Sequence, residues 1–129
     1  MINKIKSIFL VYDLTKSFLL DQKGLHNDVI KRLNKHYKWL ENSKYKYLFY
    51  DYYILLAEQY FRINNIKKAY ELFDIALYII EKADYLNEDE KEYLTLYISY
   101  FRNLKNSRKI EFNSNNISNT IKIKFPNPW

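Results

Sequence analysis

Cysteine is absent, and glycine and proline are almost absent: one glycine, Gly24, and two prolines, Pro126 and Pro128, in 129 residues. Without cysteine there are no disulfides, no zinc–thiolate sites and no thiol nucleophile. All-β folds depend on tight turns built from glycine and proline. Residues 1–125 carry no proline and one glycine, which points to helices joined by short polar turns. A lone glycine cannot build a phosphate-cradling loop. No apolar run reaches membrane-spanning length. The early run of Ile8, Phe9, Leu10 and Val11 is cut by Asp13, too short for a signal peptide. The expectation is an intracellular protein, cytoplasmic or in an organelle matrix, with no membrane insertion.

What is present is apolar enough to fold: 48% hydrophobic residues, 19% aromatic, 14 tyrosines, and a net charge of +6. Abundant Lys, Ile, Asn and Tyr read first as the codon bias of an AT-rich genome. Charge is unevenly placed. Residues 1–47 carry ten basic against four acidic side chains, residues 48–93 five against ten, and residues 94–129 six against one. The ends are basic and the middle is acidic.

Apolar spacing predicts about five helices. The first covers residues 3–22 and is apolar around much of its circumference, the mark of an element covered on more than one side. Gly24 is its stop. The second, over 27–42, has a stripe of Val29, Leu33, His36, Tyr37 and Leu40. The third and fourth, 44–63 and 66–84, meet at an Asn64–Asn65 turn. The fifth opens on Asn87, with Glu90 three residues on completing a capping box, and its stripe is Leu86, Tyr93, Tyr97, Tyr100, Phe101 and Leu104. Residues 1–105 are therefore expected to form an all-α domain, and residues 106–129 a polar linker and an extended tail. In that tail, residues 121–125 alternate with period two, a strand signature.

The third and fourth helices carry a pattern: Tyr53, Leu56, Ala57 and Tyr60, then Asn64, then Ala69, Phe73, Ala76 and Leu77. It resembles the tetratricopeptide repeat, a helix–turn–helix unit of 34 residues. The resemblance covers one repeat, residues 44–84, with Tyr53 at the usual Trp position, Leu56–Ala57 at the Leu–Gly pair and Asn64 in place of the turn glycine. Glu81 stands where the repeat has its proline. Around Gly24, Val29 and His36 occupy the places of the small residues. The resemblance implies antiparallel helical hairpins and a partner groove lined by Asp51, Ile54, Glu58, Phe61 and Arg62.

Catalytic chemistry has little support. His26 and His36 are the only histidines, and neither has a partner at metal-ligand spacing. The acidic residues 84–92 lack the glycine and the spacing of a calcium loop, and carboxylates at a helix start answer to the helix dipole. No enzyme activity, metal, cofactor or small-molecule substrate is expected. A second surface stands out: Lys31, Arg32, Lys35, Lys38, Lys44 and Lys46 interleave with Trp39, as in surfaces that bind phosphates and stack bases. In the tail, Ile121, Ile123, Phe125 and Trp129 form an edge strand and an aromatic anchor suited to docking by β-augmentation. The sequence thus predicts a protein–protein scaffold, a subunit or adaptor bound to other protein subunits. The alternative is an RNA-contacting subunit of a ribonucleoprotein such as an organellar ribosome.

Overall fold

A computed structural model describes residues 2–106. The expected strand over 121–125 and the docking residues Ile121, Ile123, Phe125 and Trp129 lie outside the described residues. Those described are all-helical: six α-helices rather than five, and one 3-10 turn. They fall into two units that divide after Ala83.

In the first unit, α1 spans Ile2–Gln22, α2 His26–Asn34, α3 Tyr37–Glu41, α4 Tyr50–Arg62 and α5 Ile66–Lys82. The expected helix over 27–42 is broken at Lys35–His36. The Leu33 carbonyl takes the His36 N–H at 3.0 Å, tightening the turn, and also the Tyr52 hydroxyl at 2.7 Å. The expected helix over 44–63 begins only at Tyr50. Before it, residues Lys44–Leu48 form the 3-10 turn, started by Ser43, whose extended backbone lets its Oγ accept the Tyr45 N–H at 3.1 Å.

Two chain reversals use the same device. After α1, Gly24 takes φ +75°; its N–H donates to the Asp21 carbonyl at 2.9 Å, and the Leu25 N–H to the Leu20 carbonyl at 3.0 Å. After α4, Asn64 takes φ +67°; its N–H donates to the Phe61 carbonyl at 3.0 Å, and the Asn65 N–H to the Tyr60 carbonyl at 2.8 Å. Both are Schellman closures, which need a left-handed residue just past the helix. Glycine adopts that conformation freely, and asparagine tolerates it.

These turns stand forty positions apart, and burial recurs at the same spacing. Ser17 and Ala57, Val29 and Ala69, Leu33 and Phe73, and Leu40 and Ile80 are all buried pairs. The most extensive packing is between α4 and α5, where Ala57, Ala69 and Ala76 are fully buried beside Leu56, Leu72 and Phe73. Small side chains let the backbones approach, and the larger ones fill the rest. Tyr60 and Leu77, the other members of the repeat pattern, lie half-buried at its edge.

In the second unit α6 spans Glu88–Asn106. Its capping box is reciprocal: the Glu90 N–H donates to Asn87 Oδ1 at 2.8 Å, and the Asn87 N–H to Glu90 Oε1 at 3.2 Å. The least exposed line is Leu94, Ile98 and Phe101: Phe101 belongs to the expected stripe, while Leu94 and Ile98 lie one position on from its Tyr93 and Tyr97. Aliphatic side chains have no hydroxyl to satisfy, whereas Tyr93 stays exposed and Tyr97 and Tyr100 half-exposed.

Candidate interaction surfaces

The first helix pair is joined by side-chain polar bonds. Asp13, on the buried face of α1, accepts from Arg32 at 2.9 Å and from His36 Nε2 at 2.5 Å. Trp39 Nε1–H then donates to His36 Nδ1 at 3.0 Å. An indole only donates, so Nδ1 must accept and Nε2 must carry the proton that Asp13 receives. The chain Arg32–Asp13–His36–Trp39 thus fixes one imidazole tautomer. Burial pushes the Asp13 carboxyl up, but the hydrogen bonds from His36 and Arg32 and the charge of Lys35 outweigh it, and the net direction is down.

A second polar cluster ties the ends of α1 and α2 to α4. The fully buried Gln59 accepts from His26 Nδ1 at 2.7 Å and donates to Asp21 Oδ1 at 2.9 Å. Two tyrosines of α4 complete the seam. Tyr52 donates to the Leu33 carbonyl and Tyr53 to Glu41 Oε2 at 2.5 Å, with their rings edge-to-face at 5.1 Å. Burial holds both phenols above their ordinary range, helped at Tyr53 by the bond to the Glu41 carboxylate. Both histidines are therefore occupied with structural partners. The one loose end is Ser17, fully buried with no hydrogen-bond partner for its Oγ among the described residues.

The expected groove on α4 is mostly covered. Ile54 and Glu58 are buried, Asp51 and Phe61 are half-buried, and Arg62 alone is exposed. The positions follow from the family resemblance, and a family pattern carries no information on what covers that face in this chain. Burial pushes the Asp51 carboxyl up to about 6, against the lowering effect of the Tyr52 N–H that it accepts at 2.9 Å.

The expected basic patch divides. Lys35, Lys38 and Trp39 come together with His36, and α1 adds Lys6 and Phe9; they line an open basin of about 570 Å³. Arg32 is committed to Asp13. Lys46 lies over the Tyr47 ring at 5.4 Å, while Lys31 and Lys44 are exposed; none of these lines the basin. The sequence reading missed Lys6 and Phe9, which reach the patch only because α1 packs beside α2.

Among the described residues, α1 carries more exposed large apolar side chains than any other helix. Its buried face holds Leu10, Asp13, Leu14 and Ser17. On the opposite side Ile5, Ile8, Tyr12 and Leu19 are 53, 64, 55 and 50% exposed. With Thr15 they recur at i, i+3, i+7, i+10 and i+14, one continuous stripe of a helix. Ile2, Phe9 and Val11, also exposed, widen it. Among the described residues no helix is long and apolar enough to cross a membrane. Comparison of the chain with protein-family models, with curated proteins and with solved structures finds no match in any of the three.

Proposed function

We propose that the chain is a non-catalytic protein–protein interaction module, a scaffold or adaptor subunit of a larger assembly, that docks through the outer face of α1. The carrying observation is the uncovered apolar stripe of Ile5, Ile8, Tyr12 and Leu19. Contiguous exposed apolar surface on a folded chain marks a contact site. The stripe is favoured over the α4 groove because Ile54 and Glu58 are buried. A tetratricopeptide-like build is supported by Ala57, Ala69 and Ala76 at the close approach of α4 and α5, although the turns at Gly24 and Asn64 recur at forty residues rather than at the 34 of that repeat. In such an array each helix pair offers its outer face to the next element.

The test is affinity capture from the native source at physiological salt, with and without ribonuclease, using the wild-type chain and an Ile8→Glu/Tyr12→Glu double variant. Both positions are exposed, so the variant retains its fold by circular dichroism. Partners that survive ribonuclease and are lost from the variant support the reading. A partner set unchanged by the variant overturns it. The basin favours a second reading, contact with RNA. Lys6, Lys35 and Lys38 make no ion pair among the described residues and stand beside Trp39 and Phe9. That reading requires RNA binding that weakens steeply with salt and is lost on Lys35→Glu/Lys38→Glu.

A further inference from the structure

The basin beside the polar seam offers more than positive charge. Lys6 and Phe9 come from α1, Lys35 precedes the break between α2 and α3, and Lys38, Trp39 and Asn42 follow it. No carboxylate is among the lining residues. Asp13, behind the seam, is bonded to Arg32 and His36. Trp39 is held in place by its Nε1–H bond to His36 Nδ1. That bond fixes one edge of the indole and leaves the half-buried ring as a wall of the basin. Phe9, 61% exposed, supplies a second aromatic wall. Asn42 Nδ2 donates to the Lys38 carbonyl at 2.8 Å, which leaves its Oδ1 to accept from a ligand.

We infer that this basin takes unpaired nucleotides of a single-stranded RNA, whose bases stack on Trp39 and Phe9 and whose phosphates meet Lys6, Lys35 and Lys38. The inference rests on the RNA-contact reading and narrows it to one form of RNA and one mode of contact. Lysines alone suit any polyanion, so the rings decide. An aromatic face is negative and gains nothing from a carboxylate, so an acidic peptide leaves both rings unused. A base of any identity stacks on such a face. In a duplex the bases are paired and stacked on one another, whereas unpaired bases can be splayed onto aromatic side chains. The basin is open, so a strand can enter and leave it; sites for free small molecules enclose most of their ligand. A base amine or a ribose hydroxyl also supplies the donor that Asn42 Oδ1 accepts, and a bare phosphate chain does not.

The test uses the full chain and a single-stranded RNA of about 12 nucleotides, within the usual footprint of such sites. Its competitors are the matching duplex, inorganic polyphosphate and adenosine monophosphate. Affinities are read from the anisotropy of the labelled strand, and every variant is checked by circular dichroism. The single strand is expected to bind at least tenfold more tightly than each competitor, and to quench Trp39 emission in a Trp129→Phe chain. Three phosphate contacts give a slope of about −2 in log K against log salt, a weakening of roughly twentyfold between 50 and 200 mM. Lys38→Ala should cut that slope by about a third. Trp39→Leu should instead weaken binding by about fivefold or more at every salt and leave the slope unchanged. Phe9→Leu, at an exposed position, should act in the same direction and decides the matter where Trp39→Leu does not fold. Equal binding of the duplex would overturn the single strand while leaving contact with RNA standing; no binding of either RNA would sink both readings. Polyphosphate or adenosine monophosphate that binds as tightly as the strand, or folded ring variants that bind like the wild type, would also overturn the inference.

Discussion

The helix pairs α1–α2 and α4–α5 reverse direction in the same way and are held together differently. Gly24 and Asn64 take the same left-handed conformation and close the same hydrogen bonds. Forty residues apart, Ser17 faces the role of Ala57, Asp13 that of Tyr53, and His36 that of Ala76. The later pair is a contact made close by alanines. The earlier pair carries a carboxylate, an imidazole and a guanidinium across its interface. Chain reversal and interface chemistry are thus separable: the turn needs one left-handed residue, while the contact is satisfied either by apolar packing or by a polar network with nearly every member partnered.

Removing the centre of that network should have the largest effect. Asp13→Ala leaves Arg32 and the largely buried His36 without their acceptor, and is expected to cost about 3 kcal/mol in urea unfolding. A loss under 1 kcal/mol would make the polar seam ornamental. In the later pair the equivalent injury is steric. Ala76→Leu should overpack the α4–α5 contact, at a cost of about 1–3 kcal/mol; an unchanged melting temperature would show that the helices are not in close contact there.

Acid separates the two pairs by sign. Asp13 titrates below its ordinary 3.8, so its contribution is complete above that value and is lost as the pH falls through its lowered folded value. Asp51, on α4, is raised from 3.8 to about 6, so the fold holds its proton when the unfolded chain has lost it. Its carboxylate therefore subtracts stability as the pH rises from about 4 to about 6. Asp51→Asn should gain about 1–2 kcal/mol at pH 7 and nothing below pH ~4. A gain independent of pH would refute the assignment. The smallest effect is expected at Ser17. Its unpartnered hydroxyl gives the fold no bond to lose, so Ser17→Ala should be neutral or stabilising by up to about 1 kcal/mol.

The later pair was far more legible in the sequence than the earlier one. Ala57, Ala69 and Ala76 announce a close helix approach by size alone, Asn64–Asn65 announces a turn, and the Asn87–Glu90 box announces the start of α6. Each is a local signal, readable within a few residues. Asp13 instead read as the end of an apolar run, because its partners Arg32 and His36 are 19 and 23 residues away. The break between α2 and α3 was hidden for the same reason: it turns on the Leu33 carbonyl meeting Tyr52, which is 19 residues distant. The α1 face was half legible. An all-round apolar helix leads to the expectation of cover on more than one side, whereas the structure covers only the side of Leu10, Asp13, Leu14 and Ser17.

The bond from Trp39 to His36 also gives the molecule an optical asymmetry. The chain has two tryptophans, Trp39 and Trp129, and neither belongs to the α4–α5 pair. With Trp129 replaced by phenylalanine, the remaining indole emits from the polar seam, its N–H held by an imidazole and its ring 6.0 Å from that of His36. Emission then reports on the earlier pair alone, while the far-ultraviolet helical signal reports on both. Two curves recorded on one sample therefore reveal whether the two helix pairs melt together or in turn.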